Sequence, residues 1–232
     1  MVSLPTPTLS SGAYTLPDAA RLLGLPLARL RSWVRGTSLR PVEGSVASSR
    51  RLPAGEFSTR GEGRDRHFNF FTLIELFSIA QLRGHGVSMT TLRQARKELG
   101  SRFQTPYPFA LQGLMTDKRR LLKEMGHQVL LELGSGGQVA FEALIGPFCH
   151  RIDFDASTRL AARYFPMGRD HQIVVDPRHA FGRPVVCGTN ITTEALASLI
   201  KGGEKIEDIA DDFRLDPGAV QEAWRFETRQ AA

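Results

Sequence analysis

Three arginines, Arg29, Arg31 and Arg35, fall within one seven-residue stretch of "LPLARLRSWVRG". Guanidinium groups gathered on a helix contact phosphate oxygens or the edge of guanine. Arg31 and Arg35 are four residues apart and share a helix face, with Arg29 and Ser32 beside them. More arginines follow in a Gly- and Ser-rich stretch, including Arg50 with Arg51 and Arg64 with Arg66. Toward the other end the charge reverses. Glu207, Asp208, Asp211 and Asp212 form an acidic run, followed by Phe213, Trp224 and Phe226. Carboxylates flanked by large rings suit a basic protein surface, because aromatic side chains are enriched among interface anchors. A solvated acidic helix face is the plainer reading of the same run.

The charge balance separates these two chemistries. Residues 1–110 hold 15 Lys or Arg against 7 Asp or Glu, a net of +8. Residues 111–170 are near neutral at 8 and 7, and residues 171–232 carry 7 and 10, a net of −3. A basic front and an acidic end point to two different partners. With 232 residues there is room for two compact domains or one large one. No run approaches the roughly 18 apolar residues of a membrane span. The opening "MVSLPTPTLSSGA" has neither the basic start nor the apolar core of a signal peptide. Cys149 and Cys187, far apart in sequence, fit a reducing cytosol better than a disulfide framework, so a cytoplasmic location is expected.

Catalytic arrangements are weak throughout. "LGSGGQ" lacks the Gly-Lys-Ser/Thr ending of a phosphate loop, so it reads as a turn. Asp153 and Asp155 would share a strand face, yet nothing nearby supplies further ligands or a nucleophile. Cys149 and His150 are adjacent and do not face one another in helix or strand, and Cys149 is expected in a core. The six histidines show no metal-ligand spacing. No metal, cofactor or catalytic group is expected, and the chain is not read as an enzyme.

The elements that must position the arginines start at Thr15, which with Asp18 forms a capping-box variant. Leu16, Ala19, Ala20 and Leu23 make one apolar stripe. Gly24 permits a sharp turn and Pro26 suits the first turn of a second helix, in which Leu27, Leu30, Trp33 and Val34 face inward. Gly36 is a stop. Two short helices and a tight turn match the helix-turn-helix plan, with Ala28 to Arg35 as recognition helix, or a plain helical corner. Residues 37–69 lack helical periodicity and read either as a linker or as a β-hairpin wing laying arginines on the phosphate backbone. A helix follows, with Thr72 and Glu75 as its expected capping box, ending at Gly84 to Gly86. Ser88 starts the next, which ends at Gly100.

This order, "YTLPDAARLLGLPLARLRSWVRG", a wing, then "FTLIELFSIAQLRGHGVSMTTLRQARKEL", resembles the winged helix-turn-helix domain of the MerR family over residues 13–100. The resemblance implies binding of double-stranded operator DNA as a homodimer.

Residues 101–170 read as a small α+β linker or oligomerisation module, with "QVLLEL" a strand, a helix within Gln138 to Phe148, and a hairpin turning at Asp155 to Thr158. Beyond it, "IVVDP" is a strand ended by Pro177, and "GRPVVCGTNIT" is extended. Thr192 caps a helix through Lys201 that Gly202-Gly203 stops. "EKIEDIADDF" is a short helix with Ile206, Ile209, Ala210 and Phe213 inward, and Asp216-Pro217 opens a last helix burying Val220, Ala223 and Trp224. A strand ending "DP", then "GRPV", "GTNI", "IEDIADDF" and "LDPGAV" resembles a small prokaryotic antitoxin domain over residues 171–227, with Asn190 where an arginine is usual. That domain is similar to Vap-type antitoxins, which are often paired with PIN-like ribonuclease toxins.

The expected fold is α+β, mainly α: a winged helix-turn-helix at 13–100, the α+β module at 101–170, and a three-helix, helix-turn-helix-like antitoxin domain with a short β element at 171–232. The expected function is toxin neutralisation by direct binding plus operon autoregulation. A ligand-responsive MerR-like regulator, with residues 101–232 as sensor, is the alternative. Expected DNA contacts are Arg29, Arg31, Ser32, Arg35, Arg50, Arg51, Arg64 and Arg66, and expected toxin contacts are Glu207, Asp208, Asp211, Asp212, Trp224 and Phe226.

Overall fold

The structure, a computed structural model, describes residues 12–35, 59–60, 67–111 and 150–229. Those residues form a mainly helical α/β body with a small four-stranded antiparallel sheet. Helix α1 (Leu16–Leu23) starts at the expected capping box: Thr15 Oγ1 accepts from the Asp18 amide, and Asp18 Oδ2 accepts from the Thr15 amide at 3.0 Å. Gly24 ends it in the left-handed region, φ 63°, which glycine adopts without penalty. Helix α2 (Leu27–Arg35) follows at once and buries Leu30, Trp33 and Val34.

A two-stranded antiparallel ribbon, β1 (Thr59–Arg60) and β2 (His67–Phe68), comes next. Phe68 also exchanges both backbone hydrogen bonds with Tyr14, at 2.9 and 2.8 Å, so the ribbon is tied to the entry of α1. Helix α3 (Phe70–Gly84) corrects the expected capping box at Thr72 and Glu75. It begins three residues earlier, and Asn69 Oδ1 accepts from the Thr72 amide at 2.8 Å. Glu75 therefore falls in the second turn on an inward face, fully buried. A carboxylate there needs a partner. Arg96 of α4 (Met89–Phe103) supplies it, with Nε at 3.2 Å from both oxygens and Nη2 at 2.8 Å. Arg96 Nη2 also donates to the Pro106 carbonyl at 2.7 Å.

Strands β3 (Ile152–Phe154), β4 (Ala161–Tyr164), β5 (Ile173–Val175) and β6 (Pro184–Val186) form the antiparallel sheet in sequence order. The hairpin between β3 and β4 turns where expected. Asp155 Oδ1 accepts from Ser157 and Thr158, side chain and backbone alike, and the Ser157 hydroxyl is the main cause that brings its carboxyl down to about 2. The expected boundary at 170 falls between β4 and β5, neighbouring strands in which Tyr164 pairs with Val175. Ile152, Tyr164, Ile173, Val175 and Val186 join the main core, while Phe165, Val174 and Val185 form a small apolar cluster of their own.

Helices α5 (Thr193–Lys201), α6 (Ile206–Phe213) and α7 (Pro217–Thr228) close the chain, with Thr192 and Asp216 as side-chain caps. One continuous core runs from Tyr14 to Phe226. Two expectations about rings are corrected here. Phe213 is 38% exposed, because it ends α6 beside the left-handed Arg214 and Leu215 packs on the core in its place. Trp224 is only half-buried, and Phe226 is the large buried ring of α7. The expected strand "QVLLEL", the helix within Gln138 to Phe148, Gly36 and Cys149 lie outside the described residues.

Candidate nucleic-acid interface and partner surface

Helix α2 is amphipathic because its buried positions, 30, 33 and 34, leave Arg29 and Arg31 on the other side, both exposed. Ser32 is half-buried, and its hydroxyl donates to the Arg29 carbonyl at 2.7 Å. That bond satisfies Ser32 within its own helix. Arg35 is the last residue of the helix, and its side chain, like Arg50, Arg51, Arg64 and Arg66, lies outside the described residues. The structure thus places Arg29 and Arg31 on one exposed helix, preceded by a tight turn.

A second pair of helices repeats this layout. In the first pair the Leu25 amide donates to the Ala20 carbonyl at 2.9 Å, and in the second the Leu215 amide donates to the Ala210 carbonyl at 2.9 Å. Each turn has one left-handed residue, Gly24 or Arg214, followed by a partly buried leucine. The outer faces differ. Glu207, Asp208, Asp211 and Asp212 are all exposed on α6, the first helix of the second pair. Helix α7, in the position corresponding to α2, buries Ala219, Val220, Ala223 and Phe226. Its Glu222 is engaged by His171 Nδ1 at 3.0 Å and by the Gln172 amide at 2.7 Å. Helix α7 is therefore a packed central helix, whereas α2 presents cations.

The acidic face of α6 has a cost. Glu207 with Asp211, and Asp208 with Asp212, are like charges four residues apart, each pair worth about 0.2–0.5 kcal/mol against the helix. Asp211 and Asp212 also sit in the last turn, where the helix dipole disfavours anions. No ion pair joins the four to another described residue. Packing alone gives no reason for this density of charge.

Phe226 lies inside the core and not at the surface. It is fully buried, with the Arg229 guanidinium 4.3 Å above its ring and that of Arg21 at 5.6 Å. It is expected as a toxin contact, but the apolar side of α7 turns it toward Arg21 of α1. Trp224, half-buried beside it, remains at the surface. Two features escaped the sequence reading. The Glu75–Arg96 pair had an alternative role as a cap, and its spacing of 21 carries no periodic signal. Phe181, 80% exposed, sits in "RHAFGR", where only Gly182 marked a turn.

Among the described residues no group of three His, Cys, Asp or Glu is placed to hold a metal. No described helix is long and apolar enough to cross a membrane.

Comparison with known proteins adds four likenesses. Residues 173–226 match the family model described as "Protein of unknown function (DUF433)". The chain is 24% identical over 225 residues to the protein named "Putative antitoxin VapB45" of Mycobacterium tuberculosis, covering 90% of this chain and 91% of that one. It is 25% identical to the uncharacterized protein Rv2308 of the same organism over 237 residues, covering 94% and 91%. The crystal structure of Rv2018 from Mycobacterium tuberculosis has the same fold, with a TM-score of 0.65 at 21% identity over 90% of this chain and 96% of that one. By sequence the chain is similar to a Vap-type antitoxin along nearly its whole length.

Proposed function

We propose that this chain is the antitoxin of a two-component toxin–antitoxin system, without catalytic activity of its own. It binds a PIN-like ribonuclease toxin and represses its own operon as a homodimer on double-stranded DNA. The observation that carries this reading is the contrast between two like-built helix pairs on one core. Helix α2 offers Arg29 and Arg31, and α6 offers Glu207, Asp208, Asp211 and Asp212. Arginines on the second helix of such a pair suit the major groove, and two copies related by a dyad would read half-sites about 34 Å apart. Carboxylates at the observed density suit a surface built to grip RNA, since such a surface is basic. The likeness to the protein named as an antitoxin supports the toxin as the kind of partner.

The test is co-expression of the full chain with the product of the neighbouring gene, followed by co-purification and by binding to the upstream DNA at several salt concentrations. The expected result is a stable complex, and DNA affinity that falls steeply with salt. A chain that binds neither partner defeats the reading.

A further inference from the structure

Between β5 and β6 the backbone makes a turn with three successive left-handed residues: Ala180 at φ 45°, Phe181 at φ 57° and Gly182 at φ 79°. Only glycine adopts that region without penalty, so Ala180 and Phe181 are held there by their surroundings. Those surroundings are specific. The Gly182 amide donates to the His179 carbonyl at 2.8 Å, and the Arg183 amide to the Ala180 carbonyl at 3.1 Å. Asp176, nearly buried, accepts from the Arg178 amide at 2.9 Å and takes its guanidinium side-on at 3.0 and 2.8 Å. His179 Nδ1 meets Asn190 Oδ1 at 2.8 Å. Gly182 itself lies against the buried Tyr14, whose hydroxyl a Cβ at that position would overlap.

All of this presents one side chain. Phe181 is 80% exposed at the tip of the turn, while its neighbour Ala180 packs inward on Phe165, Val174 and Val185. Arg178 and Arg183 flank it, with side chains 63% and 58% exposed. Beside the turn lies a hollow of about 200 Å³ whose lining includes Arg163, Val174, His179, Val185 and Asn190. That volume is below the range of small-molecule sites and near that of one amino-acid side chain.

We infer that Phe181 is the anchor of a protein interface, entering an apolar pocket rimmed by carboxylates on the partner, with one partner side chain filling the adjacent hollow. The inference rests on the toxin reading above and names a second contact, opposite in charge to the α6 face. A rigid aromatic knob in a basic collar has the composition of an interface core, where aromatics and arginine are enriched. DNA fits less well. A sugar-phosphate backbone would meet the arginines but leave the exposed Phe181 ring with nothing apolar to enter. A second copy also fits less well, because a dyad contact that seats Phe181 in its neighbour's hollow brings the arginine collar of one copy against Arg163 of the other.

The experiment compares the full-length chain with Phe181→Ala, Phe181→Gly and Phe181→Tyr, each co-purified with the neighbouring gene's product and titrated against it. The expected result is binding about 30-fold weaker for the Ala and Gly variants and near wild-type for Tyr, with operator affinity unchanged. Phe181→Gly should also melt no lower than wild-type, because glycine relieves the left-handed residue without emptying a core; this separates a binding role from a structural one. A wild-type complex that Phe181→Ala retains at full affinity overturns this inference alone. Loss of operator binding with toxin binding intact assigns the turn to DNA and overturns it as well. Absence of any wild-type complex overturns the toxin reading and this inference together.

Discussion

Arg21 of α1 and Glu227 of α7 form a partly buried ion pair that ties the first described helix to the last. Glu227 also accepts from the Thr193 hydroxyl at 2.5 Å. Beside it Arg229 donates to the carbonyls of Arg21 and Leu22, at 2.8 and 3.3 Å, and Tyr164 donates to the latter at 3.3 Å. The last carbonyls of α1, orphans in any helix, are thus satisfied by the C-terminal half of the chain. Glu227→Ala should destabilise the protein by about 1–3 kcal/mol, because it leaves partly buried donors unpaired. Urea unfolding checks this. The same experiment should show one cooperative transition for wild-type, since the core crosses from α1 to α7.

That continuity bears on how the chain should be dissected. Cutting it between residues 100 and 171 would expose Leu22, Tyr164 and Phe226, all buried in the shared core. Fragments are therefore poor tools for dividing labour, and point substitutions in the full chain are better. Removing residues 12–35 should lower the melting temperature of the remainder rather than leave it unchanged.

Glu75 and Arg96 offer a second stability test. Glu75→Ala should cost about 3–5 kcal/mol, because it strands a buried guanidinium. Glu75→Met with Arg96→Met should cost clearly less than the two single changes added together, since both charges then leave the interior. A double-mutant cycle by urea unfolding measures this, and additive losses would mean the two do not act as a pair.

Local signals were the legible part of this fold. Thr15, Ser88, Thr192 and Asp216 each cap a helix whose start could be read from the sequence, because a capping side chain acts within three residues. The turn at Asp155 was legible for the same reason. What sequence could not show was long-range choice. Thr72 and Glu75 satisfy a capping pattern equally well, and only the presence of Asn69 and Arg96 decides otherwise. Phe226 and Trp224 are two residues apart, and which of them packs on α1 depends on a helix two hundred residues earlier. The pairing of Tyr164 with Val175, across the expected boundary at residue 170, is likewise long-range and leaves no trace in periodicity. The exposed arginines of α2 and carboxylates of α6 followed from amphipathic spacing alone, while Phe181 needed backbone angles to be noticed.

Acid should loosen the turn that carries Phe181. Burial works against the Asp176 carboxylate, yet the hydrogen bonds and charge of Arg178 hold its acidity constant below the ordinary 3.8. A folded value below the unfolded one means stability that is fully present above 3.8 and is lost as pH falls through the folded value. Asp176→Asn should therefore flatten the stability profile below about pH 4 while lowering it at neutral pH. Thermal unfolding between pH 7 and pH 2 reads both effects, and an unchanged acid slope would show that Asp176 does not titrate with folding.

The two charged faces should separate in a single set of variants. Arg31→Ala removes a cation from the exposed side of α2 and should weaken operator binding by about 1–3 kcal/mol, with relaxed specificity if it reads a base. Arg29→Ala and Arg35→Ala are expected to act in the same direction. Changing Arg50 with Arg51, or Arg64 with Arg66, should instead weaken binding to all sequences about equally and make its salt dependence shallower. None of these should alter toxin affinity. Asp211→Lys with Asp212→Lys should do the reverse, because it leaves α2 untouched and turns an attractive surface into a repulsive one. It should also stabilise α6 slightly, since cations in the last turn complement the helix dipole. Melting temperature, operator affinity and toxin affinity are read on the same preparations. Loss of toxin binding together with a rise in melting temperature is the expected signature of a face kept acidic for a partner. Retention of toxin binding would return those carboxylates to the role of a solvated surface.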